Sequence, residues 1–163
     1  MMPRDLTAPA AEVLAVLGTM GLKAAVAESC TGGLVAAAMT SIAGSSSVVE
    51  RGFVTYSNDA KVEMLGVPPE MIATHGAVSE AVARAMAEGA LRHSRAQVAV
   101  AITGIAGPGG GTIDKPVGLV HFARAAHGTP TLHRAEMFTG DRDAVRLAAA
   151  MTALGMFLPP PPI

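Results

Sequence analysis

Tryptophan is absent from this 163-residue chain, and aromatic residues make up only 3% of it, four Phe and one Tyr. So few flat rings leave little on which nucleic-acid bases could stack. The core must be assembled instead from Ala, Val, Leu, Ile and ten Met, small or flexible side chains that suit helices lying close on a sheet. An excess of one charge is lacking too: twelve Lys plus Arg against thirteen Asp plus Glu give a net charge of -1. No basic face that would track a phosphate backbone is expected, and so no nucleic-acid partner. The lone cysteine, Cys30, excludes an internal disulfide and a cysteine-based zinc site. The histidines at 75, 93, 121, 127 and 133 form no HExxH pair. Those at 121, 127 and 133 fall near one hairpin at a spacing that fits no metal template. No metal and no cofactor are therefore expected. There is no run of about 18 apolar residues that would cross a membrane. Glu12 interrupts the N-terminal apolar stretch that a secretory signal would need. These absences point to a cytoplasmic protein without a membrane partner.

What is present is apolar periodicity. Val13, Leu14, Leu17 and Met20 share a face of a first helix, capped by Thr7 or Asp5 and ended at Gly21. Residues 23–27 (KAAVA) read as a strand buried on both faces, followed by ESCTGG and an Ala-rich helix from Leu34 to about Ile42. Residues 48–56 form a second strand, and 58–65 a short helix closed by Gly66 and Pro68-Pro69. Ser79 with Glu80 opens a helix reaching about His93. Residues 97–103 (QVAVAIT) are a buried strand running into the glycine-rich GIAGPGGGT. Two further strands, 117–125 and 131–138, meet at a turn over 127–130, and a last helix runs from Asp141 to about Phe157. This order predicts a three-layer α/β/α fold with a mixed, mostly parallel sheet of about five strands, the fourth antiparallel. A single domain over 1–158 is expected, with a disordered Pro-rich tail at 159–163.

In an open α/β sheet, ligands bind beyond the carboxyl ends of parallel strands, and three such ends carry unusual residues. At Ser29-Cys30-Thr31-Gly32-Gly33 a hydroxyl and a thiol stand at a strand-to-helix turn, beside N–H groups that can face an oxyanion. Ser and Thr also cap helices there, and paired glycines let a helix pack closely. Thr103–Thr112 fits neither a Walker loop nor GxGxxG. It is a wide turn with open N–H groups able to nest a phosphate, or simply a flexible loop. Tyr56-Ser57-Asn58-Asp59-Ala60-Lys61 puts a tyrosine at a strand end and a lysine one turn into the next helix. Lysines at such positions are most often solvated surface.

Taken together, AESCTGG at 27–33, AGSSSVVERGFVTYSNDAK at 43–61, GAVSEAVA at 76–83, AITGIAGPGGGT at 101–112 and KPVGLVHFA at 115–123 resemble the CinA carboxy-terminal domain family. Its stand-alone members are nicotinamide mononucleotide deamidases. The resemblance covers most of the chain and leaves its first twenty and last thirty residues less diagnostic. It implies an amidohydrolase that converts nicotinamide mononucleotide to nicotinic acid mononucleotide and ammonia in pyridine nucleotide salvage. By the same resemblance Ser29 is the nucleophile, Lys61 and Tyr56 assist it, and the loop Thr103 to Pro108, with Gly104 and Gly107, borders the substrate. The nucleotide pyrophosphatase domain of the larger CinA proteins does not fit in a chain of this length.

An amide hydrolase needs a nucleophile, a proton shuttle and an oxyanion site. With no Ser-His-Asp spacing, a Ser–Lys pair is the economical arrangement, provided that burial lowers the lysine pKa. Tyr56 either relays the proton or orients Lys61. The N–H groups of Thr31, Gly32 and Gly33 are the oxyanion candidates, and the glycine loop with Arg51 the phosphate candidates. Arg51 can equally pair with Glu50, and Asn58 either holds the carboxamide or caps its helix. A thiol at a helix N-terminus competes with Ser29 as nucleophile, unless Cys30 points inward. The rival reading is a non-catalytic module that binds a pyridine nucleotide or another phosphoribosyl ligand. A role in DNA uptake or damage response, suggested by the family's naming, has the balanced charge against it. A homo-oligomer is expected, with a dimer favoured.

Overall fold

The computed structural model describes residues 1–162. Its sheet is built from β1 (Ala24–Glu28), β2 (Val49–Val54), β3 (Val98–Gly104), β4 (Leu119–Ala126) and β5 (Thr129–Met137), in spatial order β2-β1-β3-β4-β5. β2, β1 and β3 run parallel, while β4 is antiparallel to both its neighbours. The helices are α1 (Arg4–Thr19), α2 (Leu34–Thr40), α3 (Asn58–Leu65), α4 (Pro69–His75), α5 (Glu80–Arg92) and α6 (Arg142–Met156).

The layering follows from side-chain alternation in the central strands, because successive residues of a strand point to opposite faces. Ala24, Val26, Val98, Val100, Ile102, Val120 and Phe122 face one way and meet α1, α2 and α6 in the larger core cluster. Ala25, Ala27, Ala99, Ala101, Ala123 and Ala125 face the other way, onto α5. A face paved with alanine lets that helix come close, and α5 answers with its own small residues Ala83, Ala87 and Ala90. This is where the scarcity of aromatic residues has its structural counterpart.

Most elements lie within two residues of their expected bounds, and the sheet is mixed with its fourth strand reversed, as patterning predicts. Four details differ. The first helix begins at Arg4 after Pro3, without a side-chain cap; the Thr7 hydroxyl donates back to the Arg4 carbonyl instead. Residues 69–75 form a helix where Pro68-Pro69 predicts only a stop, because Pro69 occupies its opening position, where a missing N–H costs nothing. The β4–β5 connection is confined to His127 and Gly128, which puts Thr129 and Pro130 inside β5. An edge strand tolerates that proline. Finally, the tail expected to be disordered is described over residues 159–162, where Pro161 is buried and all four prolines border a groove with Arg124, Thr129, Pro130 and Leu132, while residue 163 lies outside the described residues. No described helix is long and apolar enough to cross a membrane.

α3 and α5 touch at Gly89, where an added Cβ would lie 2.1 Å from the Leu65 carbonyl oxygen. Helix propensity alone would make Gly89→Ala stabilising by about 1 kcal/mol. The clash is with backbone that cannot rotate away, so the substitution is expected to destabilise by about 1–3 kcal/mol. Urea unfolding of the two proteins decides the sign.

Candidate active site

The carboxyl ends of β2, β1 and β3 lie side by side, and the chain leaves each into one of the three segments singled out above. Ser29 follows β1, and its N–H still bonds to the Ile102 carbonyl of β3 at 3.0 Å. Thr55 follows β2 and donates its N–H to the Glu28 carbonyl at 2.8 Å. Thr103 lies at the end of β3, its hydroxyl 2.8 Å from the Ala77 carbonyl in the segment before α5. Between these ends opens a cavity of about 290 Å³, in the size range of a small organic ligand.

At its base Lys61 Nζ stands 3.0 Å from Ser29 Oγ and 2.8 Å from the Thr55 carbonyl oxygen. The lysine reaches that point because Ser57, not Asn58, caps α3: its hydroxyl accepts the Ala60 N–H at 3.0 Å. The cap aims the fourth residue of the helix at the strand ends and leaves Asn58 free to line the cavity. Lys61 is 1% exposed, and no described carboxylate lies within ion-pair distance of it. Burial penalises the ammonium and holds the Lys61 pKa below its ordinary value of 10.5. The Cys30 thiol beside it is pushed the other way, up to about 11, chiefly by burial. It therefore stays protonated near neutral pH and is a poor nucleophile there.

Tyr56 is 61% exposed and stands at the mouth of the cavity. Its hydroxyl accepts a hydrogen bond from Arg142 at 2.9 Å, and the same guanidinium donates to the Gly107 carbonyl at 2.8 Å. Arg142 thus ties the end of β2 to the glycine loop across the opening. One turn later on α6, Arg146 donates to the carbonyls of Cys30 and Thr31 at 3.1 and 3.0 Å. Neither arginine was singled out in the sequence, although DRDAVR places both on one face of the last helix.

Asn58, Thr103, Gly104 and Gly107 line the cavity with Ser29, Tyr56 and Lys61. Thr31, Gly32, Gly33 and Arg51 do not. The Gly32 N–H bonds to the Ser29 carbonyl, and the Gly33 N–H to the carboxylate of Glu28, so two of the three expected oxyanion donors are already occupied. Glu28 is fully buried and also accepts the N–H groups of Val35 and Ala36, at 3.1 and 2.9 Å. It caps α2 from the end of β1, which leaves the neighbouring hydroxyl free for the cavity. Arg51 lies in the middle of β2, away from its carboxyl end, and donates to the His93 carbonyl and to Glu50. Gly104 and Gly107 are there for room as well: a Cβ on either would press within 2.6 Å of Val120 or Val117. The N–H groups of Gly107, Gly109 and Gly110 have no described acceptor and border the cavity.

The family model for the CinA C-terminal domain matches residues 6–159. A protein named nicotinamide-nucleotide amidohydrolase PncC, from Escherichia coli, is 56% identical over 138 residues, covering 85% of this chain and 84% of that protein. A putative competence-damage inducible protein of Symbiobacterium thermophilum is 54% identical over 149 residues, but the match is only 35% of its length. The chain thus spans about a third of the longer curated relatives it matches. Among solved structures, the competence/damage inducible protein CihA of Agrobacterium tumefaciens superposes with a TM-score of 0.94 at 52% identity, over 97% of this chain and 96% of that one. A CinA superfamily protein of Escherichia coli gives 0.90 at 34% identity, over 97% and 92%.

Truncating Glu28 leaves three N–H groups at the start of α2 without an acceptor in a buried place. Each bond to a charged group contributes on the order of 1.5–3 kcal/mol. Glu28→Ala is therefore expected to lose at least about 3 kcal/mol in chemical unfolding, and Glu28→Gln less, because it retains one acceptor.

Proposed function

The chain belongs to the CinA C-terminal domain family, and from that premise we propose that it is an amidohydrolase that removes the carboxamide nitrogen of nicotinamide mononucleotide as ammonia. The observation that carries the reading is a serine hydroxyl 3.0 Å from a buried lysine amine that has no carboxylate partner, at the floor of a cavity. The name of the Escherichia coli relative supports the substrate. In this reading the neutral amine of Lys61 takes the Ser29 proton as Oγ adds to the carboxamide carbon. The Lys61 ammonium returns that proton to the nitrogen as the C–N bond breaks and ammonia leaves. Water then adds to the acyl ester, passing a proton to Lys61. The ester C–O bond breaks, Ser29 recovers its proton, and nicotinic acid mononucleotide is released.

The remaining groups take supporting parts. The N–H groups of Cys30 and Thr31, which donate to no described carbonyl, replace Gly32 and Gly33 as oxyanion donors. Arg142 supplies the cation for the phosphate, with the open N–H groups of Gly109 and Gly110 beside it. Arg51, turned to His93 and Glu50, has no part. Tyr56 orders the rim through Arg142 rather than relaying protons, since its hydroxyl bonds to the guanidinium and to neither Ser29 nor Lys61. Thr55, through its carbonyl, is what orients the amine.

Incubation with nicotinamide mononucleotide should release ammonia. Ser29→Ala and Lys61→Ala should lower the rate by about a thousandfold or more, while Cys30→Ala keeps most of it. Saturable binding without ammonia would make the protein a nucleotide-binding module and end the proposal.

The base must be unprotonated, so kcat/KM should rise with pH as Lys61 passes through its depressed pKa, with the midpoint of the rise below pH 10.5. Stability carries the same sign. With the folded pKa below the unfolded one, the unfolded chain holds more protons across that interval, so unfolding free energy climbs as pH rises through it. Lys61→Met should lack this climb. An acid limb centred at or above pH 10.5 would remove Lys61 as the base.

A further inference from the structure

The face of the sheet that packs on α1, α2 and α6 carries two buried charged side chains, Glu28, which is satisfied by the N–H groups at the start of α2, and Arg124. On β4 the alternation Val120, Phe122, Arg124 sets an arginine where apolar residues belong, in register with Leu132 of the edge strand β5. Arg124 is 8% exposed. Among the described residues nothing accepts a hydrogen bond from its Nε or from the rest of its guanidinium. A buried cation without a counter-charge is among the more costly features a fold can carry.

Arg124 borders a groove of about 520 Å³ between β5 and the C-terminal half of α6. The walls are apolar: Leu132, Met151, Met156 and Leu158. Leu132 and Met151 are exposed there at 53% and 42%. Gly155 keeps the groove open, since a Cβ at that position would meet nothing within 4 Å. The second cation at the groove, Arg134, is already engaged by Glu136, and among the described residues no carboxylate lines the groove. It is bordered by the C-terminal half of α6, roughly 13–21 Å along the helix from Arg142, and shares no lining residue with the cavity at Ser29.

We propose that this groove binds a small organic carboxylate with an apolar body, its head paired with the Arg124 guanidinium and its body along Leu132, Met151 and Met156. A planar guanidinium offers two parallel N–H bonds that match a carboxylate. The apolar walls give the site a preference for an amphiphile over a simple ion.

Octanoate is the probe, titrated calorimetrically against the full chain, with acetate and inorganic phosphate as arms that carry the head charge without the body. Octanoate is expected to bind saturably, with acetate and phosphate unable to compete at equal concentration. Arg124→Met removes the charge at similar volume and should weaken binding at least about tenfold, leaving ammonia release unchanged. Gly155→Leu fills the groove without touching the charge and should weaken binding similarly; it carries the test if Arg124→Met does not fold. No saturable binding by wild type at millimolar octanoate, or equal binding by both variants, overturns the proposal. So does binding that appears only once residues 159–163 are removed, which would make the chain's own tail the occupant, or a second copy found by sedimentation to cover the groove and exclude the probe.

Discussion

A lysine with no acid beside it, enclosed at 1% exposure, is the constraint around which this molecule is arranged. Taking an ammonium out of water costs several kcal/mol unless it is paired, and the relief found here is a neutral carbonyl and a neutral hydroxyl. Such partners stabilise the ammonium far less than a carboxylate would, so burial prevails and the pKa falls. Everything that fixes α3 serves that placement. Ser57 sets its first turn, Gly66 in the left-handed region ends it, and Gly89 allows α5 to press against its last carbonyls.

The neighbouring segment solves a different problem with adjacent residues. A strand that stops beside a helix start leaves open N–H groups, and the usual remedy is a Ser or Thr side chain. Here Glu28 performs the capping from within β1. Ser29 is thereby released from the role that its position would ordinarily give it. The carboxylate is turned into α2, so Glu28 is no counter-ion for Lys61. Cys30, next in line, is pushed into the core, where its thiol holds its proton. Three consecutive side chains therefore take three unlike environments, because a turn rather than a strand or helix orients them.

The same logic separates the α6 face of the sheet from the α5 face. Alanine on one side admits a close helix, and branched residues on the other hold α1, α2 and α6 at a distance. Arg124 belongs to the second set by register and violates it by chemistry. Local departures from pattern of this kind are where a further role is most reasonably sought.

Strand alternation, glycine punctuation and capping residues are local properties of the chain, so the three layers, the reversed fourth strand and the Asn58–Leu65 helix were legible from sequence. So were Ser29, Tyr56, Lys61 and the Thr103–Gly107 loop as candidates, because residues at strand ends face a crevice by topology. What the order of residues did not contain was which donors and acceptors were already taken. Gly32 and Gly33 look open in sequence and are closed by Ser29 and Glu28. Arg51 looks available and is drawn to the carbonyl end of α5. Arg142 comes from a helix more than eighty residues beyond Tyr56 and enters the site only when α6 packs across the sheet. Sequence determined the elements and the cast of reactive groups, since propensity and periodicity act over a few neighbours. Tertiary structure decided pairing, burial and therefore protonation, since these depend on segments that meet only after the chain has folded.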